Sequence, residues 1–238
     1  MSLLSNVRMH GAANYFIIHF GNASPEQCLQ NLEGADGLLL VQEDEEADAY
    51  MRIFNADGHE AEQCGNGLRC VALHLVRNKL VESPELTIRT LSGISHCVVR
   101  EDCNEVSVTL CKPIIEKVRI DAFPNLVFVN TGNPNAVYWT KDDPISVRDE
   151  LGETISNNAS FNNGMNVHFA RRDDDNAATI ASWERGVGPT HASGTGGAAV
   201  FIAANAQGTF YVSSFGGTLS YRLDQEGSIV MAGPASYV

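Results

Sequence analysis

The chain has 238 residues, 16 of them basic and 29 acidic for a formal net charge of -13, with 44% hydrophobic and 19% charged residues. That balance is ordinary for a globular protein and sets aside disordered and fibrous classes; the length suits one large domain or two modest ones. The excess negative charge repels phosphate backbones and anionic lipid, which argues against nucleic acid or a membrane surface as partner.

No stretch approaches the roughly 20 apolar residues that span a bilayer, and no basic flank leads into an apolar run of signal-peptide length, so a cytoplasmic location is expected. Short runs rich in branched and aromatic residues, bounded by Gly, Asn, Asp and Pro, predict strands at 15–19, 38–42, 50–54, 86–90, 97–100, 106–110, 126–130, 136–140, 165–170, 209–213 and 227–231. Two segments break this rhythm. Cys64-Gly65-Asn66-Gly67 opens a predicted helix over 68–80, and Ser193-Gly194-Thr195-Gly196 opens another over 197–207 whose residues are apolar on nearly every side. A helix of that kind is usually buried.

The halves match in spacing. Asn55 closes a strand and precedes Cys64 by 64 − 55 = 9 residues; Glu184 closes a strand and precedes Ser193 by 193 − 184 = 9 residues. The expected fold is therefore α+β with two pseudo-symmetric domains, each a strand-rich sheet or barrel wrapped around one central apolar helix. The expected division is 1–112 carrying Cys64 and 113–238 carrying Ser193, with a linker near 111–121 and a last strand able to return to the first domain. The acidic runs 43–48 and 173–175 read as solvated turns.

Six cysteines in a chain without a secretory signal do not require a disulfide framework. None forms a close Cys-x-x-Cys pair, so no metal site is expected. Cys64 lies among Gln63, Gly65, Asn66 and Gly67 at a helix mouth, where the local field lowers a thiol pKa; Cys70, on the apolar helix, reads as an inert core residue.

A helix N-terminus offers unpaired N–H groups and partial positive charge to an anion, and glycines let it come close. Two such mouths facing each other across a domain interface could grip one carboxylate, with the residue at each mouth flanking the neighbouring carbon. One group would take the α-proton of an amino acid and the other would return one from the opposite face.

The same residues carry a family resemblance. Met9-His10-Gly11-Ala12-Ala13-Asn14-Tyr15-Phe16 resembles the MHGxGNDF signature of diaminopimelate epimerases, with Tyr15 in place of the usual Asp. Gly34-Ala35-Asp36-Gly37-Leu38 is similar to their GADGL turn, and Asn55-Ala56-Asp57-Gly58 through Cys64-Gly65-Asn66-Gly67-Leu68-Arg69-Cys70 resembles their most specific motif. Gly132-Asn133-Pro134, Gly164-Met165-Asn166-Val167, Glu184-Arg185-Gly186-Val187-Gly188, Gly194-Thr195-Gly196 and Gly233-Pro234-Ala235 follow in family order.

The resemblance implies a cofactor-independent epimerase acting on diaminopimelate or a related amino acid, with Cys64 and Ser193 as the acid/base pair. It implies that Asn14, Asn55, Asn133 and Asn166 hydrogen-bond the substrate, and that Glu184 and Arg185 read its distal ammonium and carboxylate. The N–H groups of Gly65-Asn66 and Gly194-Thr195 would hold the α-carboxylate. No cofactor is expected: pyridoxal phosphate needs a Schiff-base lysine, and Lys79, Lys112, Lys117 and Lys141 lie outside any Gly-rich turn. The expected partner is a small amino acid, and a homodimer is one assembly it allows.

Two positions depart from the family pattern. Ser193 stands where the family has its second catalytic cysteine, and a hydroxyl needs a neighbouring base before it can accept a proton. Asn135 stands where GNPH would place a histidine, and His59 and His191 are the candidates to substitute for it. Three readings stay open: an epimerase with an unequal Cys64/Ser193 pair, a one-base elimination at Cys64, and an amino-acid-binding module without turnover.

Overall fold

The computed structural model describes residues 6–116, 120–161 and 163–238; the expected linker at 111–121 lies partly outside them. The chain divides into two units, Met1–Thr109 with Ala232–Val238, and Leu110–Met231.

In the first unit the strands are β1 (Val7–Gly11), β2 (Asn14–Phe20), β3 (Gly37–Gln42), β4 (Ala49–Asn55), β5 (Glu60–Ala61), β6 (Glu85–Thr90), β7 (Gly93–Arg100) and β8 (Glu105–Thr109). The helices are α1 (Pro25–Leu29) and α2 (Gly65–Arg77). β1 pairs antiparallel with β2, β2 parallel with β3, β3 antiparallel with β4, and β4 parallel with β6, from which β7 and β8 follow as antiparallel neighbours. The short β5 folds back on β4.

In the second unit the strands are β9 (Ile114–Glu116), β10 (Val127–Asn130), β11 (Pro134–Trp139), β12 (Asn166–Asp174), β13 (Ala177–Glu184), β14 (Gly188–Thr190), β15 (Phe210–Ser214), β16 (Gly217–Leu223) and β17 (Ile229–Pro234, whose last residues belong to the first unit). Helices α3 (Pro144–Ser156) and α4 (Gly194–Ala203) complete it. The pairing order repeats: β10 antiparallel with β11, β11 parallel with β12, β12 antiparallel with β13, β13 parallel with β15, β15 antiparallel with β16, and β14 folded back on β13. The same alternation of parallel and antiparallel neighbours, with a helix at the same point, makes the units pseudo-symmetric. β18 (Ser236–Tyr237) returns to pair with β1, and Arg69 Nε donates to the Pro234 carbonyl at 3.3 Å.

Strands such as β3 and the first half of β12 are buried on both faces and read as nearly continuous hydrophobic runs, whereas β6, β7 and β8 alternate buried and more exposed residues. In the second unit Val167 and Phe169 of β12 join Phe128, Ala136 and Ile155 in a core beneath α3, whose Gly152 is packed against the Trp183 ring. The alternating residues Asn166 and His168 belong to the opposite face, and a Cβ on Gly196 of α4 would lie 2.2 Å from the His168 ring. In the first unit Leu38, Leu40 and Phe54 pack on the α1 side, while Leu39 meets Gly67 of α2 on the other.

Several elements differ from the sequence reading. α3 was not expected, although Asp143 before Pro144 is a helix-start signal: the Asp143 carboxylate accepts from the Ser146 N–H at 3.1 Å. The stretch read as linker holds β9, paired to β10. Both central helices stop earlier than expected, because Lys79 (φ 56) and Asn205 (φ 50) take the left-handed conformation that ends a helix. Asp173 and Asp174 close strand β12 rather than forming a turn.

Candidate active site

The two central helices begin in the same way. Cys64, with φ -145 and ψ 104, is extended backbone ahead of α2, and its Sγ accepts from the Gly67 N–H at 3.4 Å. Ser193, with φ -134 and ψ 113, precedes α4, and its Oγ accepts from the Gly196 N–H at 3.2 Å. Leu68 N–H reaches the Cys64 carbonyl and Gly197 N–H the Ser193 carbonyl, starting the helical ladders. In each first turn this leaves two N–H groups without an intrahelical acceptor, those of Gly65 and Asn66 and those of Gly194 and Thr195. Both pairs suit a carboxylate.

Around the first mouth, Asn66 is buried, and its Nδ2 reaches Asn14 Oδ1 at 3.4 Å while its Oδ1 has no partner among the described residues. Asn14 is oriented in turn by donating to Asp36 Oδ2 at 3.1 Å. Asn55 ends β4 with an exposed side chain, its backbone closing a turn with Gly58 and His59. Cys64 is partly accessible, whereas Cys70 is fully buried and burial pushes its thiol up to about 12. A helix mouth and a helix interior thus give two cysteines six residues apart different access to solvent.

Around the second mouth, the Glu184 carboxyl at the end of β13 lies beside Ser193. Desolvation raises the Glu184 pKa, and Ser193 lowers it by a lesser amount. Glu184 is partly buried, while the neighbouring Arg185 is exposed.

Asn166 bridges strands: its Oδ1 accepts from the Arg185 N–H at 3.0 Å and its Nδ2 donates to the Pro134 carbonyl at 3.1 Å. Asn133 lies in the tight turn between β10 and β11, and its Oδ1 accepts from Asn135 Nδ2 at 3.0 Å.

The two histidines named as substitutes for the one missing at position 135 have other partners. His59 is exposed and sits 3.2 Å from Asp57, and His191 packs its ring on Phe215 with centroids 4.8 Å apart. The imidazole beside Asn135 is His168, whose Nε2 lies 2.9 Å from Asn135 Oδ1. It was missed because an isolated His in an apolar strand carries no motif. The register that brings it there, Val137 opposite His168 across the parallel β11–β12 pair, is a long-range one.

A sheet of this topology wrapped twice around a central helix defines a class of proteins. The solved structure of a PhzF-family phenazine biosynthesis protein from Bacillus anthracis superposes with a TM-score of 0.72 at 19% identity, over 98% of this chain and 96% of that one. A probable proline racemase from Agrobacterium radiobacter superposes with a TM-score of 0.74 at 16% identity, over 98% and 90%.

Within that class the sequence is more specific. Residues 23–115 and 127–238 match the diaminopimelate epimerase family profile, and the diaminopimelate epimerase of Alkaliphilus metalliredigens is 32% identical over 263 residues, covering 96% of this chain and 93% of that protein. The chain belongs to the diaminopimelate epimerase family, and with it to the isomerases.

Proposed function

We propose that this protein inverts the α-carbon of diaminopimelate, or of an amino acid close to it, without a cofactor, using Cys64 and Ser193 as its acid/base groups. The observation that carries this reading is the pair of equivalent, capped helix mouths opened by Cys64 and Ser193, the second with the Glu184 carboxyl beside it. A serine hydroxyl alone is too weak an acid or base for the task. Backed by a carboxyl group it becomes a relay.

In one direction the Cys64 thiolate takes the α-proton. Ser193 Oγ–H gives its proton to the opposite face of the carbanion and is refilled from protonated Glu184. The reaction leaves Cys64 as thiol and Glu184 as carboxylate, so charge never rests on a serine alkoxide. In the reverse direction Glu184 accepts the Ser193 proton as Ser193 takes the α-proton, and Cys64 S–H supplies the other face. The raised Glu184 pKa suits this exchange, since a proton carrier works best when its pKa lies nearer the operating pH. The N–H groups of Gly65, Asn66, Gly194 and Thr195 hold the carboxylate on which negative charge builds. Asn14, Asn55, Asn133 and Asn166 supply or align polar contacts, and exposed Arg185 is suited to a distal carboxylate.

Incubation with LL- and meso-diaminopimelate in deuterated water, followed by a panel of other amino acids, tests the reading. Deuterium entering the α-position with inversion supports it, and Cys64→Ala should abolish the exchange. Full exchange in Cys64→Ala, or binding without any exchange, overturns it.

A further inference from the structure

We propose that His168 is a positioning residue: through Asn135 it sets the direction of the Asn133 side-chain amide and holds the first turn of α4 in place. The proposal rests on the reading of the α4 mouth as a carboxylate site. Its basis is a chain of buried polar groups in the second unit whose hydrogen positions can be worked out.

Asn135 is 1% exposed, and one end of its amide lies 2.8 Å from the Asn133 carbonyl oxygen, an acceptor only. That end must be the NH2 group. The same nitrogen lies 3.0 Å from Asn133 Oδ1 and 2.9 Å from Thr131 Oγ1, its two hydrogens serving three acceptors with one shared between the two Asn133 oxygens. Asn135 Oδ1 therefore faces His168 Nε2 at 2.9 Å, and the histidine must carry its proton there. His168 Nδ1 is then an acceptor, which obliges Ser182 Oγ to donate to it at 2.9 Å. With its oxygen already accepting from Asn135, Thr131 is free to donate to the Thr195 carbonyl at 3.1 Å. A single direction of donation thus runs from Ser182 through His168, Asn135 and Thr131 to α4.

Two consequences bear on the site. Asn133 has its oxygen taken, so the end it can offer a substrate is the NH2 donor, which recognises a carboxylate rather than an ammonium. The α4 turn is held from two sides, by Thr131 on the Thr195 carbonyl and by the His168 ring lying where a Cβ of Gly196 would be. A reversed Asn135 amide would set oxygen against the oxygens of Asn133, and only the donor at His168 Nε2 opposes that reversal from the other end. Burial keeps the ring neutral, with its pKa pushed down to about 3, so the arrangement is stable across the working pH range.

The test uses His168→Leu, which removes the donor, and His168→Gln, which can restore an N–H toward Asn135 Oδ1. In the folded fraction His168→Leu should raise KM about tenfold and lower kcat by up to about 100-fold, the size of effect expected when a binding turn shifts by about 1 Å. His168→Gln should recover most of the loss. A purely structural residue would lower thermal stability in His168→Leu and leave kcat and KM of the folded fraction unchanged; that result overturns the proposal.

NMR supplies a readout that does not need turnover. The wild-type ring should show a proton on Nε2 and a bare Nδ1, and the Asn133 and Asn135 side-chain amide protons and the Gly196 N–H should lose protection in His168→Leu. If no substrate is turned over by the wild type, the epimerase reading falls and these protections alone decide; unchanged protection overturns the proposal. Should His168→Leu not fold, Ser182→Ala releases the tautomer without disturbing packing at α4. It should act in the same direction by about two- to fivefold, a modest hydrogen-bond effect, and unchanged kinetics and protection in that variant overturn the proposal.

Discussion

Glu184, at the end of β13, lies beside Ser193 at the mouth of α4, and the serine draws the carboxyl pKa down while desolvation, the larger effect, raises it. On the proposed mechanism Glu184 takes and gives a proton through the serine, a role that its raised pKa suits. Glu184→Gln keeps the size and polarity of the side chain but cannot carry the proton, and α-proton exchange should fall by about 10²- to 10⁴-fold, the usual contribution of a general acid/base. Ser193→Cys should raise the rate, and the double variant should retain more activity than Glu184→Gln alone, since a thiol can release and accept a proton without help. Steady-state rates of the three variants check this.

The same carboxyl should destabilise the fold at neutral pH. Its folded pKa is raised above the unfolded value near 4.5, so the folded state holds the proton more tightly and loses stability as pH rises through the folded pKa. Glu184→Gln should melt at a higher temperature than wild type at pH 7, with the difference vanishing near pH 4. Calorimetry at the two pH values decides it, and an equal gain at both would assign the effect to packing.

The cysteines should divide sharply under mild alkylation. Cys70 and Cys97 are buried, and desolvation pushes both thiols up to about 12. Cys64 is partly accessible and Cys103 exposed. Mass spectrometry after brief treatment with iodoacetamide at neutral pH should find Cys64 and Cys103 modified, with Cys70 and Cys97 reacting only after denaturation. Substrate should protect Cys64 and leave Cys103 unaffected.

Acid should act through His168. Its pKa falls from 6.5 in the unfolded chain to about 3 in the fold. Between these values the unfolded state binds the extra proton, so stability is lost as pH falls from 6.5 toward 3, by up to about 1.4 kcal/mol per pH unit from this group. Denaturant titrations at pH 7 and pH 4.5 on wild type and His168→Gln measure the difference, and Gln should flatten the dependence.

Gly196 has no room for a side chain, because its missing Cβ would stand 2.2 Å from an imidazole pinned at both nitrogens. Neighbouring Gly197 faces Tyr221, whose hydroxyl donates to the Gly194 carbonyl at 2.9 Å. Gly196→Ala should destabilise by about 1–3 kcal/mol, the usual range for overpacking, despite the better helix propensity of alanine. An unchanged unfolding midpoint would show that the ring moves aside freely.

The helix mouths, the nine-residue interval ahead of each, and the strand-rich duplication were legible in the sequence because they are local. A Gly-containing turn before an apolar run marks a helix start wherever it lies in the fold, and residue type alone distinguishes Cys64 among glycines from Cys70 on an apolar face. The partners of those mouths were not legible. Glu184 is nine residues from Ser193, His168 is 33 from Asn135, and Thr131 is 64 from Thr195. His168 is brought to Asn135 by the register of the parallel β11–β12 pair, and Thr131 in a turn meets Thr195 in α4, relations that no local pattern records. Sequence determined which residues stand at the anion-binding ends of the helices. Only the tertiary structure decided which carboxyl lies beside the serine and which imidazole lies against the asparagine, because both depend on a sheet folding around its helix and excluding water from the groups between them.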